Sequence, residues 1–175
     1  FNINLNKAKF FAGHSLGEYS ALACAGAISF DNAITLLSKR GKSMQSAVPI
    51  GVGGMIAILG KEVEFIENIL SSSDYESCQI ANDNCPGQII LSGTKNAIEE
   101  FSTILKKIGA RSVIDLNVSA PFHCSLMNEA SKIMKKVLEV TDLKNLNTKF
   151  ISNVNAKFEN DTNKIKSLLI DQISS

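Results

Sequence analysis

The sequence predicts an α/β fold, a parallel-sheet layer carrying a smaller sheet unit of its own, and three observations lead there. Short apolar runs of strand length alternate with stretches whose apolar residues recur every three or four positions. Between about residues 53 and 117 these pieces fall in the order β-α-β-β-α-β, a unit complete in itself. On either side of that block strands alternate with helices, the pattern of parallel strands joined by crossovers. A chain of 175 residues, 45% of them hydrophobic, has room for one ordinary domain with a small insert and a sizeable core.

Each element follows in order. "AKFFA" (8–12) is short and apolar with two aromatics, as a buried strand is. It runs into "GHSLG" (13–17) and then a helix over 16–25, in which Leu16, Tyr19, Leu22 and Ala23 recur at three and four and Gly26 is the stop. "SFDNAITLLSKRGKSMQSAV" reads as a second helix capped by Ser29 or Asp31 and ended before Pro49. From residue 53 come the strand "GGMIAILG", the helix "KEVEFIENILSS", the strand "ESCQIAN", the turn "NCPG", the strand "GQIILSG", the helix "TKNAIEEFSTILKKIG" and the strand "RSVIDLNV". That is the ferredoxin-like order, and its Gly-rich and Pro-containing joints mark it as an inserted subdomain. After it come "SAPFHCS", a helix with apolar Leu126, Ala130, Ile133, Met134 and Val137, a strand "KFISNV" and a last helix from Asp161. These pieces are expected to return to the first layer.

Composition narrows the function classes. The net charge is +1, aromatics make up 6% and there is no Trp, so the basic, aromatic-studded footprint of a nucleic-acid binder is missing and no nucleic-acid partner is expected. The apolar runs fall short of the roughly 20 residues that cross a bilayer, and no signal segment opens the chain. The expectation is a cytoplasmic protein with no membrane partner. Cys24, Cys78, Cys85 and Cys124 match no C-x-x-C spacing, and no second histidine stands near His123, so no metal site is expected and the thiols read as reduced and mostly buried. The chain opens on Phe1 and stops at "DQISS", which reads as a piece of something longer.

The chemistry concentrates on few residues. G-x-S-x-G after a strand and before a helix lifts the serine hydroxyl out of the backbone beside the helix N-terminus, which makes Ser15 a candidate nucleophile; the alternative is a chance match. Serine needs a base, most often His, within hydrogen-bond reach. His14 adjoins Ser15, and neighbouring side chains at such a turn point apart, so it reads as packing beneath the turn. His123 sits where a strand ends and a helix begins, the place where α/β sites gather their groups; its competing reading is a capping or core histidine. On the second helix Ala33, Leu37, Arg40, Met44 and Ala47 share one stripe while Lys39 and Lys42 fall outside it. Arg40 therefore lies on the apolar side and needs a partner, either a structural carboxylate or the carboxylate of a ligand held in a bidentate fork. Gly41 beside it would permit a close approach.

In this order and spacing, "GHSLGEYSAL", "RGKSMQSAVP", "GGMIAILG", "NDNCPGQIILSG" and "VSAPFHCSLM" resemble the malonyl-CoA:acyl-carrier-protein transacylases of fatty acid synthesis and the related acyltransferase domains of polyketide synthases. The resemblance covers essentially the whole chain. It implies an α/β-hydrolase-like parallel-sheet core, 1–50 and 118–175, with an inserted ferredoxin-like subdomain at 51–117. It implies that Ser15 is the acylated nucleophile, His123 its general base and Arg40 the binder of the malonyl carboxylate, with the Leu16 amide as an oxyanion donor. Gln88 matches a position near the family's active-site rim, and Phe122 before His123 resembles the Phe-His pair of malonyl-selective domains. The family steadies its histidine with a glutamine backbone carbonyl, at a position that matches Gln172. The implied partners are malonyl-CoA and acyl carrier protein, with no cofactor. The family's N-terminal Gly-Gln-Gly segment, which completes the oxyanion hole, has no counterpart here, so the resemblance implies a fragment of low activity.

Two other readings stand beside this one. A serine esterase or thioesterase uses the same elbow but brings its His from a late loop; here His123 precedes a long helix and a whole β-α-β-β-α-β unit separates it from the serine, which favours the transferase. A non-catalytic carrier-protein-binding module is the reading from a different class.

Overall fold

The structure, a computed structural model, describes residues 4–72 and 77–175. It is a mixed α/β chain with two sheets. Its contacts group it into two units, one running to Ser43 and resuming over Ser131–Gln172, the other made of Met44–Ala130 with Ile173–Ser175.

The first unit holds β1 (Phe10–Ala12), α1 (Leu16–Cys24) and most of α2 (Phe30–Ala47), then most of α5 (Asn128–Glu139), β6 (Lys149–Ile151), β7 (Phe158–Glu159) and α6 (Thr162–Asp171). Its sheet has the order β1-β6-β7. β1 and β6 are parallel, with Phe10 opposite Lys149 and Ala12 opposite Ile151, and β7 closes an antiparallel hairpin on β6. α1 stops as expected: Gly26 takes φ +81°, and the Gly26 and Ala27 N–H groups donate back to Ala23 O and Leu22 O at 3.1 and 2.9 Å, satisfying two of the last carbonyls. Ser29 caps α2, its Oγ accepting from Asn32 N–H at 3.2 Å, and Asp161 caps α6 by accepting from Asn163 and Lys164 N–H.

Three expectations change here. β1, expected as a buried strand, leaves Phe10 52% exposed and Ala12 exposed. The strand expected over 149–154 ends at Ile151, because the backbone beyond it turns: Ser152 N–H donates to Lys157 O and Ala156 N–H to Ser152 O, both at 3.0 Å. The short β7 that follows had no counterpart in the sequence reading. In α1, Leu16 is 56% exposed, and the buried residues are Glu18, Tyr19, Ala21 and Leu22.

The second unit is built on a four-stranded antiparallel sheet of order β3-β4-β2-β5, with β2 (Gly53–Leu59), β3 (Cys78–Cys85), β4 (Gln88–Thr94) and β5 (Ser112–Asp115). Helices α3 (Val63–Ser71) and α4 (Lys95–Lys107) complete it. Ile56, Ile58, Ile89 and Leu91 pack with Ile66, Phe101 and Leu105 of the helices. On the other face Met55, Ala57, Ala81 and Ile90 meet Leu116 and Phe122. Burial on both faces explains why "MIAIL" and "IILS" read as continuous apolar runs rather than alternating ones. β3 and β4 turn through Pro86 and Gly87, the latter at φ +77°, a sign only glycine adopts freely. The strand expected from Glu76 begins at Cys78 among the described residues; Glu76 itself lies outside them.

Among the described residues no helix is long and apolar enough to cross a membrane. Cys78 and Cys124 are buried, but Cys24 and Cys85 are exposed, so the thiols are less buried than composition suggested.

Candidate active site

The strand β1 delivers the chain into a turn at Gly13. There Gly17 N–H donates to His14 O at 2.8 Å and Glu18 N–H to Ser15 O at 3.1 Å, so α1 begins immediately. Ser15 sits at φ +49°, ψ −109°, a conformation a side chain rarely takes and one that costs on the order of 1–3 kcal/mol. Its N–H donates to Asn153 Oδ1 at 2.6 Å, which fixes the turn from the β6–β7 loop. The two glycines of the motif differ. A Cβ on Gly13 would lie 2.0 Å from Gly17 O, whereas one on Gly17 would meet nothing within 4 Å. Leu16 is the first helical residue, and the N–H of a residue at that position has no acceptor within its own helix and points beyond the helix start.

Arg40 lies on the buried stripe of α2, 6% exposed, while Lys39 and Lys42 face solvent. Gly41 is exposed with open space around it. The Arg40 Nη2 donates to Ser15 Oγ at 2.9 Å and to Gln172 Oε1 at 2.7 Å. Its guanidinium carbon stands 6.0 Å from the centroid of the Tyr19 ring, within cation–π range. Among the described residues no carboxylate pairs with it within 4.0 Å, and its Nε is buried without a hydrogen-bond partner.

Gln172 and Glu18 complete the cluster. The Gln172 Nε2 donates to Ser15 O at 3.1 Å and to Glu18 Oε2, while Glu18 Oε1 accepts from Asn153 N–H at 2.8 Å. Glu18 is fully buried. Burial pushes its carboxyl up from the ordinary range, against the pull of the Asn153 and Gln172 hydrogen bonds and the Arg40 charge. Burial likewise lowers the Arg40 guanidinium from its ordinary value, opposed by Tyr19 and Glu18, and pushes the Tyr19 phenol up to about 12.

The structure thus brings Ser15, Arg40 and Gln172 together in the first unit. His123, Phe122 and Gln88 belong to the second. His123 is buried at φ +57°, in a loop held on the sheet. Phe122 packs on the Met55, Ala57, Ala81 and Ile90 cluster, Ser125 N–H donates to Gln79 Oε1 at 2.6 Å, and the Cys124 thiol donates to Pro121 O at 3.2 Å. Pro121 lies where a Cβ on Gly53 would be, 2.3 Å from the proline Cγ. Gln88 opens β4 beside the hairpin turn, its Oε1 accepting from the Cys85 thiol at 3.7 Å.

The family model described as "Acyl transferase domain" matches residues 6–167. The chain belongs to that acyl transferase family. It is 46% identical over 168 residues to the malonyl CoA-acyl carrier protein transacylase of Bacillus subtilis, covering 95% of this chain and 53% of that protein. It is 40% identical over 170 residues to the transacylase of the same name from Haemophilus influenzae, covering 97% and 54%. Among solved structures, the acyl-carrier-protein S-malonyltransferase of Bartonella henselae superposes with a TM-score of 0.94 at 41% identity, over 99% of this chain and 56% of that one. A malonyl-transacylase in complex with its type II PKS acyl-carrier protein gives 0.92 at 39%, over 97% and 55%. The chain spans about half the length of the relatives it matches.

Within this acyl transferase chain, sequence reading missed Glu18 and Asn153. Glu18 carried a signal: it shares a helical stripe with Leu22 and Ala25, both buried, so the test that singled out Arg40 also finds it. Asn153 carried none, because its partner Ser15 is 138 residues away.

Proposed function

We propose that this chain is the nucleophile-bearing part of an enzyme that moves a malonyl group from malonyl-CoA to the phosphopantetheine thiol of acyl carrier protein, in fatty acid biosynthesis in the cytoplasm. The observation that carries the reading is the Arg40 guanidinium: buried, hydrogen-bonded to Ser15 Oγ, with no carboxylate partner among the described residues and one N–H unused. A buried guanidinium with no carboxylate in direct contact has an unfilled fork, and a carboxylate on the acyl group attached to Ser15 fills it with two parallel hydrogen bonds.

In this reading His123 takes the Ser15 proton, Oγ attacks the thioester carbonyl and the oxyanion is held by the Leu16 amide at the start of α1. The C–S bond breaks and coenzyme A leaves as the thiol with the proton from His123. The carrier thiol then gives its proton to His123 and attacks the acyl-serine ester, and Ser15 recovers its hydroxyl proton. Gln172 contributes its backbone carbonyl to orienting His123, Phe122 narrows the pocket against bulkier acyl groups and Gln88 lies at the rim. The reading also takes residues 1–50 and 118–175 as an α/β-hydrolase-like core and 51–117 as a ferredoxin-like subdomain; the strand order β3-β4-β2-β5 with two helices supports the latter.

Incubation with malonyl-CoA followed by intact-protein mass spectrometry tests it. A malonyl adduct that localises to Ser15 and disappears in Ser15→Ala is expected. An adduct retained in Ser15→Ala, or placed on another residue, overturns the assignment.

A further inference from the structure

We propose that Glu18 is a positioning residue for Arg40, acting through the side-chain amide of Gln172. The inference rests on the reading of Arg40 as the malonyl-carboxylate binder.

A primary amide has a donor end and an acceptor end, and its neighbours decide which way it faces. Two acceptors that cannot donate, Glu18 Oε2 and the Ser15 carbonyl, surround Gln172 Nε2. They hold the NH2 group on their side and turn Oε1 to Arg40 Nη2 at 2.7 Å. A flipped amide would set NH2 against the guanidinium donors. Glu18 is itself held, because its other oxygen accepts from Asn153 N–H, and the Asn153 side chain accepts from Ser15 N–H. One buried carboxylate therefore stands where two arms meet, one reaching the arginine and the other the serine.

The interposed amide matters chemically. A carboxylate in direct contact with Arg40 would occupy the guanidinium fork and compete with a ligand for it. Placed one amide away, Glu18 supplies a buried counter-charge and an orientation while no carboxylate among the described residues pairs with Arg40 within 4.0 Å. Glu18→Gln keeps the shape but leaves a single acceptor oxygen for two donors. The Gln172 amide or the Asn153 N–H then loses its partner, and the anchor on Arg40 loosens.

The test measures acylation of Ser15 by malonyl-CoA and by acetyl-CoA in wild type, Arg40→Ala, Glu18→Gln and the double variant. Arg40→Ala is expected to lower the malonyl-to-acetyl ratio strongly. Glu18→Gln is expected to lower it about tenfold, the worth of one charge-assisted hydrogen bond, and to lower it no further in the Arg40→Ala background. If Glu18→Gln leaves the ratio unchanged, or lowers it by the same factor in both backgrounds, Glu18 does not act through Arg40 and only the malonyl reading survives. If Arg40→Ala leaves the ratio unchanged, the malonyl reading falls and this inference with it. Glu18→Asp, which keeps charge and both oxygens, carries the same comparison should Glu18→Gln fail to fold. The NMR signal of the Arg40 Nε–H reports the coupling without turnover: it should be sharp in wild type and broadened in Glu18→Gln, and equal linewidths overturn the proposal.

Discussion

A serine with a left-handed backbone holds its place only if the residues beside it leave room, and the two glycines of the elbow share that burden unequally. At Gly13 a methyl group would sit 2.0 Å from Gly17 O and 2.1 Å from Gly17 C, both backbone atoms that cannot rotate away. Gly13→Ala should therefore destabilise the chain by about 2–4 kcal/mol, the range of a backbone clash at a special conformation. At Gly17, inside α1, the same methyl group meets nothing within 4 Å, and Ala is the better helix former by roughly 1 kcal/mol. Gly17→Ala should be neutral or slightly stabilising. Urea unfolding of both variants separates them; equal losses would mean that the turn, rather than the space at Gly13, sets the requirement. The same economy of contact appears at Arg40, whose Nη2 serves both Ser15 Oγ and Gln172 Oε1.

At the scale of elements, a loop is only as well placed as the sheet beneath it. Pro121, two residues before His123, occupies the space where a Cβ on Gly53 would lie, 2.3 Å from its Cγ, and a proline ring has no rotamer by which to yield. On the proposed role of His123 as base, Gly53→Ala should push the 119–124 loop off β2 and slow acylation of Ser15 by malonyl-CoA by at least tenfold. Gly54→Ala, whose methyl would rest 3.7 Å from Ile98, should leave the rate within about twofold. Similar rates in the two variants would show that this packing does not govern His123. The elements that do such positioning were legible to different degrees. β2 and β4 announce themselves as unbroken apolar runs because both faces are covered, and Arg40 stands out on an otherwise apolar stripe. β7, only two residues long, is too short for any periodicity. The Gln172 side chain bonds to Arg40 across 132 residues of sequence, and only the tertiary fold brings the two together.

Across the whole molecule, burial of neutral acids sets how stability responds to alkali. Burial pushes the Cys78 thiol up from 9.0 to about 12, with the neighbouring Cys124 adding to the rise. Cys124 is raised by burial too, against hydrogen bonds from Ser92 and Leu126, and Tyr19 rises from 10.0 to about 12. In each case the folded chain keeps a proton that the unfolded chain releases. Below the unfolded value the contribution is fully present, and it is lost as pH climbs towards the folded value, since stability falls with pH wherever the native state binds more protons. Little change is therefore expected from these groups up to about pH 8.5. From pH 9 the Cys78 thiol should steepen the loss towards about 1.36 kcal/mol per pH unit, with Cys124 acting in the same direction, and above pH 10 Tyr19 adds to it. Urea unfolding at half-unit steps from pH 8 to 10.5 gives the slope directly. Cys78→Ser has no thiol to titrate there, so whatever it does to stability at pH 8, its slope between pH 9 and 10 should be clearly shallower than that of the wild type. An unchanged slope would mean that Cys78 ionises in the folded chain as readily as in the unfolded one, and that the sheet face over it admits water.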